Sequence, residues 1–93
     1  MQVANQVTYK PSHVAKLVAE RTGQTFKTHH HTLAWKMYGV RKSGENPEGC
    51  ETKYCQFDQV HSDYIYTQEW VDFLVRKLSD QAEYERLLAY REL

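Results

Sequence analysis

Apolar positions along the chain fall into a clear order: two helical stripes, two alternating runs, then two more helical stripes. The first nine residues carry no periodicity and predict a loose arm or a short edge strand at Val7–Tyr9. "PSHVAKLVAERTG" then puts Val14, Leu17 and Val18 on one helical face, with Ser12 as N-cap and Gly23 just past the end. "QTF" makes a short turn that aims Phe26 inward, and Thr28 caps a second helix to about Tyr38, closed by Gly39. Two short helices about five residues apart, the second followed by "GVR", have helix-turn-helix spacing.

"KSGENPEGCET" follows as a loop, with two glycines, a proline and no apolar period. "KYCQFD" and "DYIYT" read as two strands of a hairpin joined by a polar turn around His61. Thr67 is the expected N-cap of "QEWVDFLVRKL", whose inward stripe is Trp70, Val71, Leu74, Val75 and Leu78. Asp80-x-x-Glu83 resembles a capping box for a last helix, 81–92, that turns Tyr84, Leu87 and Leu88 inward. The predicted fold class is therefore α+β and mainly helical: a helix-turn-helix of winged-helix-like layout, a β-hairpin and two C-terminal helices. Winged helices usually place three helices before the wing, so here the third is supplied after the hairpin. The expected organisation is one domain over 1–93, with a loose arm at 1–9 and a basic helix pair at 10–42. A loop and hairpin occupy 43–66, and the C-terminal helices 67–93.

Composition narrows this picture. A hydrophobic fraction of 41% with 13% aromatics suits a folded domain rather than a disordered tail. No apolar run approaches the roughly 20 residues of a membrane span, and no signal-peptide core follows Met1. Two cysteines are too few for a disulfide framework and fit a reducing compartment, so the expected location is the cytoplasm, off the membrane.

Net charge is zero but unevenly laid out. Residues 1–43 hold seven basic residues against the single acid Glu20, a net of +6; residues 44–93 hold five against eleven acids, a net of −6. Such halves predict a basic face and an acidic face.

The run Lys27 to Lys42, "KTHHHTLAWKMYGVRK", concentrates the candidate chemistry. At 100° per residue, His30, Leu33, Ala34 and Met37 form the expected core face. His29, Thr32, Trp35 and Lys36 point the other way, while His31 and Tyr38 share a flank. Adjacent histidines on a helix diverge, and chelation needs partners three or four residues apart, so no metal is expected here. The outward face instead suits nucleic acid. Thr28 and Thr32 offer hydroxyls to phosphate or base edges, Lys27, Lys36, Arg41 and Lys42 supply charge, and His29 and His31 add donors. Trp35 is either an apolar contact or a core residue.

Cys50-x4-Cys55 with His61 matches no standard zinc spacing, and Cys55 fits the inward side of a strand. His61 between Asp58 and Asp63 is an ordinary polar turn. No nucleophile motif and no glycine-rich phosphate loop is present, so neither an enzyme nor a cofactor is expected. Tyr54, Tyr64 and Tyr66 either offer stacking surfaces for bases or simply stabilise a small hairpin.

"HTLAWKMYGVR" (31–41) and "KYCQFDQVHSDYIYTQEWV" (53–71) resemble the C-terminal helix-turn-helix or winged-helix-like domain of a bacterial family of unknown function. The matching positions are His31, Thr32, Trp35, Lys36, Gly39, Val40 and Arg41, then Tyr54, Cys55, Asp58, Tyr64, Tyr66, Thr67, Trp70 and Val71. The resemblance spans roughly 9–78 and implies an accessory nucleic-acid-binding or interaction module, either stand-alone or part of a longer chain. The resulting expectation is a DNA-binding module whose recognition helix is 28–38, with Lys27, Lys36, Arg41 and Lys42 on phosphates. The alternative is docking of a protein partner or a second copy through the acidic half and the terminal helix.

Overall fold

The structure, a computed structural model, describes residues 7–40 and 53–90. Lys10 precedes a proline and is held extended (φ −81, ψ 162), which separates strand β1 (Thr8–Tyr9) from helix α1 (Pro11–Thr22). Pro11 takes the first helical position, where its missing N–H costs nothing, so the N-cap is Lys10 and not Ser12. Gly23 closes α1 in the left-handed region at φ 76, and its N–H donates to the Ala19 carbonyl at 2.9 Å. Phe26 is buried as expected.

Helix α2 runs Thr28–Met37. Its cap is Lys27 rather than Thr28, because the His30 side chain reaches back: Nδ1 accepts the Lys27 N–H at 2.9 Å. Gly39 ends it at φ 67. Strands β2 (Cys55–Asp58) and β3 (Asp63–Thr67) form the expected hairpin. Asp58 Oδ1 accepts the Val60 N–H at 3.0 Å at its tip, where Ser62 turns the chain at φ 52.

β3 is the middle strand of an antiparallel sheet ordered β1-β3-β2, with Tyr9 opposite Tyr66 and Cys55 opposite Tyr66. The two-residue β1 thus ties the start of the described chain to its far half. Thr67 is both the end of β3 and the N-cap of α3 (Gln68–Leu78): its Oγ1 accepts the Trp70 N–H at 3.4 Å and donates to the Lys53 carbonyl at 2.5 Å. Asp80 caps α4 (Gln81–Leu88) by accepting the Ala82 N–H at 3.0 Å. The predicted return arm of that capping box is not made, because Glu83 is engaged by Arg86 (2.8 Å) and the Tyr38 hydroxyl (2.5 Å).

The fold is α+β: among the described residues, four helices and a three-stranded antiparallel sheet form a winged-helix-like arrangement, with α3 supplied after the hairpin and packed on α1. The core takes Val14 and Val18 from α1, Ala34 from α2, Cys55 and Tyr66 from the sheet, Trp70, Val71, Leu74 and Leu78 from α3, and Leu87 from α4. Leu17 and Val75 are only partly buried, and Leu88 is 39% exposed rather than inward. Each fully buried large side chain contributes about 1.5–3 kcal/mol. Trp70 sits at the centre of an aromatic cluster with His31, Tyr38, Tyr54, Tyr66 and Phe73 around it. No helix among the described residues is long and apolar enough to cross a membrane.

Candidate nucleic-acid interface

The histidine run is placed differently from the helical-wheel expectation. His31 is fully buried, and its Nε2 accepts the Trp70 indole N–H at 2.9 Å. It also meets the Tyr66 ring edge-on at 4.6 Å. His31 therefore leaves the predicted contact surface and becomes a core residue. A neutral imidazole has an apolar carbon edge and one acceptor nitrogen, and a buried tryptophan needs such an acceptor. The inward stripe of α2 is His31 and Ala34, with Leu33, Met37 and Tyr38 partly buried against the core, so the expected face keeps Leu33, Ala34 and Met37 but takes His31 in place of His30.

His30 is half-buried and caps the helix. Burial first, then the neighbouring His29 and Lys27, hold its pKa below the ordinary histidine value. His29 is exposed, its ring 4.1 Å from that of His30.

What remains on the outer side of α2 is Lys27, Thr28 and His29, all exposed, followed by the partly exposed Thr32 and Lys36. The N–H groups of His30 and His31 turn back to the Lys27 carbonyl (2.9 and 3.1 Å), as in an ordinary first turn. Thr32 Oγ1 lies 3.4 Å from the Thr28 carbonyl, a weak bond that leaves the hydroxyl free to exchange partners. Trp35 is half-buried against the core, with the Lys36 ammonium 5.7 Å over its ring. Arg41 and Lys42, two of the predicted phosphate contacts, lie outside the described residues.

The five cations of residues 7–40 are spread along the helix pair against the single acid Glu20. Lys10 begins α1, and Lys16 lines a shallow pocket with His13 and Glu20. Arg21 is committed to Asp72 on α3 at 2.8 Å, which with Gln68 holds that carboxyl below the usual aspartate range. Lys27 and Lys36 stand at opposite ends of α2, about 13 Å apart along its axis at ~1.5 Å per residue. α2 itself contains no acid.

The hairpin, the expected wing, presents a different surface. Val60 is 87% exposed at its tip, beside His61, whose Nδ1 lies 2.7 Å from Asp58 Oδ2. Asp58 stands opposite Asp63 across the strands, so the tip repels phosphate. Of the hairpin tyrosines, Tyr66 is fully buried, Tyr64 packs on Phe57 at 5.2 Å, and Tyr54, partly buried against Trp70 and Phe73, lines a cavity. Cys55 is fully buried in the sheet and His61 exposed at the tip, which separates two of the three residues of the zinc pattern; Cys50 lies outside the described residues. Lys53, Phe73, Arg76 and Lys77 escape the expectations drawn from sequence: Phe73, Arg76 and Lys77 share a face of α3 by their spacing, and the fold brings Lys53 to them.

No family model, curated protein or solved structure matches this chain.

Proposed function

We propose that the chain is a small nucleic-acid-binding module that meets duplex DNA through the outer face of α2. The carrying observation is the acid-free stripe Lys27, Thr28, His29, Thr32 and Lys36, held on a helix whose opposite side is locked into the core by His31. A positively charged helix with short hydroxyl and imidazole donors, rigidly seated, fits the geometry of a helix entering the major groove. The acidic hairpin tip argues that the helix, not the wing, makes the main contact.

Anisotropy of a labelled duplex of about 20 base pairs tests the proposal. Three phosphate contacts make affinity fall roughly 40-fold between 50 and 200 mM salt. Replacing Lys27 and Lys36 with alanine removes two of them and flattens the salt dependence. No binding at low salt, or an unchanged slope in the variant, refutes it. Docking or self-association through the acidic half has weaker support: Leu88 on α4 is exposed, but single exposed apolar residues are ordinary.

A further inference from the structure

A second surface lies at the other end of α2 from Lys27. Tyr38, Gly39, Val40, Lys53, Tyr54 and Phe73 line an open pocket of ≈ 320 Å³. Its walls are aromatic: the Phe73 ring lies 5.0 Å from Tyr38, edge-on, and 5.2 Å from Tyr54. Behind it Trp70 stacks on Phe73 at 5.6 Å and 15°. Trp70 is fully buried, so the wall is anchored in the core rather than on a loop. Gly39, in the left-handed region, adds no side chain to the lining.

The rim is cationic. Lys53 Nζ lies 5.2 Å over the Tyr54 ring, and the Arg76 guanidinium and Lys77 ammonium lie 5.6 and 5.7 Å over Phe73. Arg76 and Lys77 follow Phe73 by three and four residues on α3, which puts all three on one helical face. Two acids stand near this region: Asp72 is paired with Arg21, and Glu83 is paired with Arg86 and accepts the hydroxyl of the pocket's own Tyr38. None of the three cations has an ion pair among the described residues.

An aromatic-walled pocket suits either a cation or a flat ring. A cage for a quaternary ammonium needs ring faces without resident positive charge. Three resident cations oppose that ligand and favour a ring that carries phosphate. We propose that this pocket takes one unpaired base of single-stranded nucleic acid, which takes the place of the cations against Tyr54 and Phe73 while Lys53, Arg76 and Lys77 swing from the rings to the flanking phosphates. The inference rests on the nucleic-acid-binding reading and gives a single strand a site separate from the Lys27–Thr32 face.

The test is anisotropy of labelled octathymidylate at about 50 mM KCl, with the 20-base-pair duplex measured in parallel. The first variant carries Lys53→Ala, Arg76→Ala and Lys77→Ala, all at exposed positions, and the second carries Tyr54→Ala; circular dichroism confirms that each is folded. The charge variant is expected to bind the octamer at least 10-fold more weakly, with a salt slope lower by about 2, since single strands release roughly 0.7 counterion per phosphate. Loss of the Tyr54 stack costs about 10-fold. Duplex binding through α2 changes less in both variants. An octamer that binds all three proteins equally overturns the pocket while leaving the α2 proposal standing; no binding of octamer or duplex overturns both. Free adenosine monophosphate saturating the pocket at lower concentration than the octamer overturns the strand as ligand in favour of the mononucleotide.

Discussion

Trp70→Phe removes the indole N–H that donates to His31 Nε2 at 2.9 Å and leaves that nitrogen buried without it. Stranding a buried acceptor costs about 1–3 kcal/mol. The smaller ring also gives up packing worth about 1–2 kcal/mol at ~0.8 kcal/mol per buried methylene-sized group. The sum, about 2–5 kcal/mol, is large against the total of about 5–14 kcal/mol expected for a domain of this length. It corresponds to a fall in Tm of about 8–40 °C. Urea unfolding followed by circular dichroism measures it. Repeating the substitution in a His31→Leu background separates the hydrogen bond from the packing, because there the acceptor is already gone. Trp70→Phe should then cost about 1–3 kcal/mol less. Additivity within about 0.5 kcal/mol refutes the claim that His31 is seated in the core by this bond.

Other consequences follow from the same contacts. Arg86 first, and then the Tyr38 hydroxyl, lower the Glu83 pKa to about 2, so its contribution is fully present above about pH 4.5 and is lost as pH falls towards 2. Acid titration of stability in Glu83→Gln should lack that segment, while Tyr38→Phe, which removes one partner, costs about 1 kcal/mol near neutrality. His30 is a base whose folded pKa is lowered, so the unfolded chain takes up the proton first; stability is full above about pH 6.5 and falls as pH drops through the folded value. Comparing wild type with His30→Gln between pH 7.5 and 5.5 by thermal melting should show the smaller slope in the variant. Cys55, fully buried, should react with a thiol reagent in a Cys50→Ser background only as fast as the domain unfolds; rapid labelling contradicts its placement. Gly39→Ala should cost about 1–2 kcal/mol from the left-handed backbone alone, since the added methyl meets no atom within 4 Å.

The elements were legible because each carries local punctuation: Gly23 and Gly39 after helices, Thr67 and Asp80 before them, alternating aromatics in the hairpin. The short edge strand at β1 was legible too, although its partner, β3, is fixed only by the sheet. His31 was misplaced because nothing within its own helix shows that an indole donor waits 39 residues away. The usable signal was indirect: a buried tryptophan needs an acceptor, and His31, Ala34 and Tyr38 share a helical face. The caps Ser12 and Thr28 were displaced by one or two residues, by the fixed geometry of Pro11 and by a histidine reaching back to Lys27. The aromatic pocket was illegible for a different reason. Its residues come from the end of α2, the approach to β2 and the middle of α3, and all three cations of its rim lie in the part of the chain that is acidic on balance.

The claim that matters most is that the outer face of α2 touches DNA. Amide chemical-shift mapping of the labelled protein during titration with a duplex, at low salt, tests it directly. The largest shifts are expected at Lys27, Thr28, His29, Thr32 and Lys36, with the hairpin tip and α4 quiet. Shifts confined to the tip around Val60 or to α4, or none at all, contradict it.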